Sequence, residues 1–170
     1  MHVLVIGAPC TGKSHDVKAL RARGINALDM DSISSFFDSR GRPATYNPDG
    51  GEKWWRHHYY VIDLSRLKGM LRQHRNFYLF AWNVSTKVGD RNGLKELIPL
   101  FDKVYYLYAP AALLRYRLVN RGEKTFGHHP DEFNAVLTEK VKSDRRARRE
   151  GWHIIDARLS PKEIFEIIRK

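Results

Sequence analysis

The chain has 170 residues, 42% hydrophobic and 29% charged, and carries a net charge of +11. That length builds one substantial core and is short for two ordinary domains. No apolar run approaches the ~20 residues of a membrane span, and the single cysteine, Cys10, excludes an internal disulfide framework and fits a reducing, cytoplasmic setting.

Apolar runs alternate with helical patterns, which predicts an α/β fold with a largely parallel sheet. Residues 3–6 read as a buried strand and 13–23 as a helix. The chain enters that strand at once, so no targeting segment is expected. A second strand is predicted at 27–30, a loop over 38–52, and a long helix over 53–73 with Tyr59, Ile62, Leu67, Met70 and Leu71 on its apolar face. Strands follow at 77–81 and 104–108, with a short helix at 94–101 between them. Helices at 111–120 and 131–150 flank a polar stretch, 122–130, and a strand at 153–156 and a helix at 161–169 close the chain.

Between the first strand and helix stands Gly7-Ala8-Pro9-Cys10-Thr11-Gly12-Lys13-Ser14, which fits G-x-x-x-x-G-K-[ST]. In that context the backbone N–H groups converge at a positive helix end and can enclose a phosphate. Lys13 would reach the β- and γ-phosphates of a nucleoside triphosphate, and the Ser14 hydroxyl would join a Mg²⁺ shell. Cys10 reads as a small residue at a variable loop position, although helix N-termini also lower thiol pKa.

Asp29 and Asp31 follow the second predicted strand, at the edge where open α/β sheets bind ligands. Alternation puts both carboxylates on one face if the strand runs that far; otherwise Asp31 caps the helix opening at Ser32. Phosphoryl transfer needs one group to organise Mg²⁺ and another to accept the attacking hydroxyl's proton, and this pair meets that need. Arg117 and Arg121 are four apart and share a helix face, placed to neutralise charge on a transferring phosphoryl group. The region 115–149 holds ten basic residues against five acidic ones. Arg145, Arg146, Arg148 and Arg149 wrap around their helix, so only one or two of them can face a site.

These residues resemble the P-loop kinase group that contains adenylate kinase, shikimate kinase and small nucleoside and polynucleotide kinases. The match rests on the loop at 7–14, Asp29-x-Asp31, Arg117-Leu118-x-x-Arg121 and the terminal His153-Ile154-Ile155-Asp156-Ala157. It implies a three-layer α/β/α P-loop fold over 1–170, with a five-stranded, mostly parallel sheet and a helical lid near 121–130. It further implies that Asp29 holds Mg²⁺ through water, that Asp31 orients or deprotonates the acceptor, and that Arg117 and Arg121 close over ATP (or GTP). The loop carrying Ala157 and Arg158 would contact adenine. The chain departs from the group after the 77–81 strand, where Phe80-Ala81-Trp82-Asn83 carries neither D-G-[FY]-P-R nor G-G-G.

The acceptor pocket is therefore of another kind. Asn83 or Ser85 could hydrogen-bond an acceptor or a metal-bound water. The region 36–60 combines stacking surfaces with cations: Trp54, Trp55, Arg56, Arg40 and Arg42. Stacking of this kind contributes ~1–3 kcal/mol per base, while core packing of at least one Trp competes with it. His57-His58 and His128-His129 are adjacent and do not share a helix face, so a zinc site is not expected.

Three functions stay open on the sequence. One is a kinase acting on a nucleoside, nucleotide or similar small metabolite. Another is a nucleic-acid kinase acting on a 5′-hydroxyl or a hydroxymethylated base, which a pI near 9.9 makes credible because a basic surface attracts a phosphate backbone. The third is a nucleotide-dependent switch or regulatory ATPase with no acceptor.

Overall fold

The computed structural model describes residues 1–121, 126–127 and 129–170, so most of the predicted lid, 121–130, falls outside the described residues. In chain order, β1 (His2–Ile6), α1 (Lys13–Arg21) and β2 (Ala27–Asp29) lead into a 3₁₀ turn at Met30–Ile33. Then come β3 (Ser34–Asp38), β4 (Pro43–Ala44), α2 (Gly51–His57), β5 (His58–Ile62), α3 (Leu64–Gln73) and β6 (Phe77–Ala81). The second half holds α4 (Leu94–Leu97), β7 (Lys103–Tyr108), α5 (Ala111–Val119), α6 (Pro130–Arg149), β8 (His153–Asp156) and α7 (Pro161–Ile168).

Five strands form one parallel sheet in the order β2-β6-β1-β7-β8. In β1, Val3, Leu4, Val5 and Ile6 are all buried, as expected of a central strand covered on both faces. Side chains alternate along a strand, and the two faces separate accordingly. Val3 and Val5 pack with Val17 and Leu20 of α1, Leu114 of α5, and Ile164 and Ile168 of α7. Leu4 and Ile6 pack with Leu67 and Leu71 of α3, Leu94 and Leu97 of α4, and Ala147 of α6. Two helical layers therefore sandwich the sheet, and each fully buried Leu or Ile contributes about 1.5–3 kcal/mol. Among the described residues no helix is long and apolar enough to cross a membrane.

The predicted 53–73 helix is not continuous. It stops at His57, gives way to β5 and resumes at Leu64. His58-Tyr59-Tyr60-Val61-Ile62 is aromatic and β-branched, a composition that favours a pleated surface over a helix. Asp63 then starts α3 as an N-cap, its side chain accepting the Arg66 N–H at 2.9 Å. With β3 and β4, β5 makes a three-stranded antiparallel sheet pairing Phe36 with Tyr60. The expected 38–52 loop is thus partly a hairpin, closed where Asp38 N–H donates to the Arg42 carbonyl at 2.9 Å. Backbone bonds between Ile62, Ser85 and Tyr60 tie this small sheet to the segment after β6.

Candidate functional site

The phosphate loop leaves β1 at Gly7, whose N–H donates to the Ala81 carbonyl. A Cβ there would lie 2.7 Å from Thr11 Oγ1 and 3.2 Å from the Leu107 side chain, so only glycine fits. Thr11 pins the turn through its hydroxyl to the Ala8 carbonyl at 2.9 Å. Cys10 and Gly12 both take positive φ, 63° and 111°, and Gly12 caps α1 with no side chain in the way. Lys13 Nζ folds back to donate to the carbonyls of Gly7 at 2.7 Å and Ala8 at 2.8 Å. Burial lowers its pKa to about 8, against the opposing pull of Asp29 and Asp31.

The two carboxylates meet this loop, though not by strand alternation. Strand β2 ends at Asp29, and Asp31 sits in the 3₁₀ turn. Asp29, not Asp31, does the capping, with Oδ1 accepting the Asp31 N–H at 3.2 Å. Its other oxygen accepts the Ser14 hydroxyl at 2.5 Å. A hydroxyl and a carboxylate converging beside a phosphate loop are hard oxygen donors of the type Mg²⁺ takes. Asp31 accepts the Tyr60 hydroxyl at 2.9 Å. Burial, then the Asp29 charge, raises the Asp31 pKa, partly offset by that hydrogen bond.

Both paired arginines reach the loop from α5 and the residue just beyond it. Arg117 Nη1 donates to the carbonyls of Cys10 and Thr11, each at 3.1 Å, and Arg121 Nη1 donates to the Phe126 carbonyl at 3.0 Å and approaches Cys10 Sγ at 3.7 Å. Asp16, on the first turn of α1, is 4% exposed with Oδ2 lacking a partner, and burial raises its pKa to about 6.

From the loop a cleft of about 1400 Å³ runs to the small sheet and α6. Phe36 centres an aromatic cluster there, its ring 4.5 Å from Tyr60, 5.1 Å from Trp54 and 5.4 Å from Trp55. Glu132, 1% exposed, binds this cluster to α6. It accepts Trp55 Nε1 at 2.6 Å, the Tyr46 hydroxyl at 2.8 Å and the Gly127 N–H at 2.9 Å. Burial, with the hydrogen bond to Glu132, raises the Tyr46 pKa.

Of the residues singled out in the sequence, Lys13, Ser14, Asp29, Asp31, Trp55, Asn83, Ser85, Arg117 and Arg121 line this one cleft. Arg40, Trp54, Arg56, Ala157 and Arg158 do not. Arg40 lies exposed in the β3–β4 turn, Arg56 pairs with Glu52 at 3.0 Å, and Trp54 stacks on His58 at 4.0 Å. Ala157 is buried in the core beside Ala8, and Arg158 is held by Asp156 at 2.5 Å. Tyr60, Glu132, Trp82, Arg91 and Phe126 line the cleft without having been singled out as site residues. The strand alternation of 58–62 was the signal for Tyr60; Glu132 had none, because its partners lie 77 and 86 residues away.

No protein-family model matches the chain, and no curated protein matches it in sequence. Its fold does match solved structures. A shikimate kinase from Aquifex aeolicus superposes with a TM-score of 0.54 at 16% identity, over 99% of this chain and 94% of that one. A shikimate kinase from Acinetobacter baumannii in complex with shikimate gives 0.53 at 19%, over 99% and 92%. A sugar kinase from a Janibacter species gives 0.52 at 17%, over 97% and 90%. The chain therefore has the three-layer fold of small P-loop kinases.

Proposed function

We propose that the protein is an ATP-dependent kinase that transfers the γ-phosphoryl group to a hydroxyl of a small molecule. The carrying observation is that Asp31 shares one cleft with the Ser14–Asp29 pair and with both loop-reaching arginines. On this reading residues 1–170 form one kinase unit, with 36–60 serving the acceptor and 121–130 the lid.

The loop amides of 7–14 and Lys13 would hold the β- and γ-phosphates of the donor, ATP or GTP. Ser14 and Asp29 would hold Mg²⁺, which supplies charge neutralisation at the phosphates when bound. Asp31 accepts the proton of the attacking hydroxyl. The acceptor oxygen bonds to the γ-phosphorus, the bond to the β–γ bridging oxygen breaks, and the nucleoside diphosphate leaves with that electron pair. A raised pKa brings the Asp31 carboxylate nearer the range in which a base works well near neutrality. Arg117 and Arg121 would offset charge on the transferring group. A simple nucleotide switch has no use for a carboxylate so placed, and Arg40, Trp54 and Arg56, which made a nucleic-acid acceptor credible, lie off the cleft lining.

The test is transfer of ³²P from γ-labelled ATP to a panel of hydroxyl acceptors, with and without Mg²⁺. Labelled product that requires both Lys13 and Mg²⁺ is expected. ATP hydrolysis that no acceptor stimulates would favour the regulatory ATPase.

A further inference from the structure

The acceptor end of the cleft opposes the charge of the whole molecule. The chain carries +11, yet the cleft wall away from the phosphate loop presents Glu52, Asp131, Glu132 and Glu139. Among the described residues, Arg91 is the one cation on that part of the wall. Its guanidinium is already committed. Nη2 donates to the carbonyls of Trp55 at 2.8 Å and Arg56 at 3.1 Å, at the negative end of α2, and the group lies 4.4 Å over the Tyr59 ring.

A carboxylate or phosphate on the acceptor would enter this wall beside four like charges with no counter-ion facing it. Burying an unpaired charge is strongly unfavourable. Lys13, Arg117 and Arg121 gather at the loop, on the donor side. The opposite requirement, for planar apolar surface, is well met. The Phe126 ring lies 5.0 Å from Trp55 and 6.1 Å from Trp82, giving an aromatic wall across the cleft. Beside it the Asn83 amide and Glu139 carboxylate stand 3.2 Å apart, a donor and an acceptor suited to the edge of a heterocycle.

We propose that the acceptor is an uncharged, ring-bearing alcohol of the nucleoside class, its planar ring against Trp55, Phe126 and Trp82 and its hydroxyl at Asp31. Sugar acids, hydroxy acids and nucleotides are rejected by the carboxylates. The inference rests on the kinase reading for the role of Asp31, but the recognition surface stands apart from the chemistry.

Matched acceptors test it, because nucleosides and their 3′-monophosphates present the same 5′-hydroxyl with and without an anion. With γ-labelled ATP, nucleosides are expected to be phosphorylated with kcat/KM about 100-fold above their 3′-monophosphates. Glu139→Lys is expected to narrow that ratio by about tenfold, and an unchanged ratio contradicts its electrostatic basis. Transfer to a 3′-monophosphate, shikimate or gluconate as fast as to any nucleoside overturns the acceptor class while upholding the kinase. Nucleoside binding, read as quenching of tryptophan fluorescence, without any transfer upholds the acceptor class and overturns the kinase. Nucleosides that neither bind nor react overturn the acceptor class.

Discussion

The Tyr60 hydroxyl donates to Asp31 Oδ1 at 2.9 Å, joining the small antiparallel sheet to the proposed base beside the phosphate loop. This bond lowers an Asp31 pKa that burial and Asp29 raise. Tyr60→Phe removes the lowering contribution, so the base stays protonated to higher pH. The acidic limb of the kcat–pH profile is then expected to move upward, with kcat down about tenfold near neutrality and ATP affinity unchanged. A profile that stays in place would separate Tyr60 from the base.

Arg117 touches the loop through the carbonyls of Cys10 and Thr11. Arg117→Ala is expected to lower kcat by about 100-fold, the usual scale for losing a donor aimed at developing charge. A rise in KM for ATP with kcat intact would instead make it a ground-state binding residue.

Asp16 carries a stability signature. Its folded pKa of about 6 lies above its ordinary value of 3.8, so between those values the native state holds a proton that the unfolded chain has released. Stability from this group is full below about pH 4 and is lost as pH rises through about 6. Two pKa units correspond to roughly 3 kcal/mol. Asp16→Asn should therefore raise Tm by about 5–10 °C at pH 8 and leave it nearly unchanged at pH 4, measured by calorimetry. Equal shifts at both pH values would point to packing instead.

Glu132 holds Trp55, Tyr46 and the Gly127 N–H together. Glu132→Ala leaves three donors without their partner and is expected to cost about 3–5 kcal/mol, a fall in Tm of about 6–20 °C. Glu132→Gln keeps an acceptor and should lose less.

The donor side was legible in the sequence because its chemistry is local. Eight consecutive residues make the phosphate loop, Asp29 and Asp31 follow one strand, and Arg117 and Arg121 sit one helical turn apart. The sheet was legible for the same reason: apolar runs such as 77–81 are buried throughout. The acceptor side depends on contacts far apart in the chain. Lys53 to Gln73 carries apolar residues at helical spacing on either side of β5, so the interruption reads as continuity until Asp63 is taken as a cap. Trp55 needs Glu132 and Phe126 to become part of a wall, and no spacing within 36–60 encodes either.

The central claim is that Asp31 takes the acceptor's proton while the loop holds the donor. It is tested most directly by measuring ATP affinity and phosphoryl transfer together in Asp31→Asn, with a nucleoside as acceptor. The account expects ATP to bind as tightly as to the unmodified protein while transfer falls by about 100-fold or more. Transfer at the unmodified rate in Asp31→Asn would contradict it.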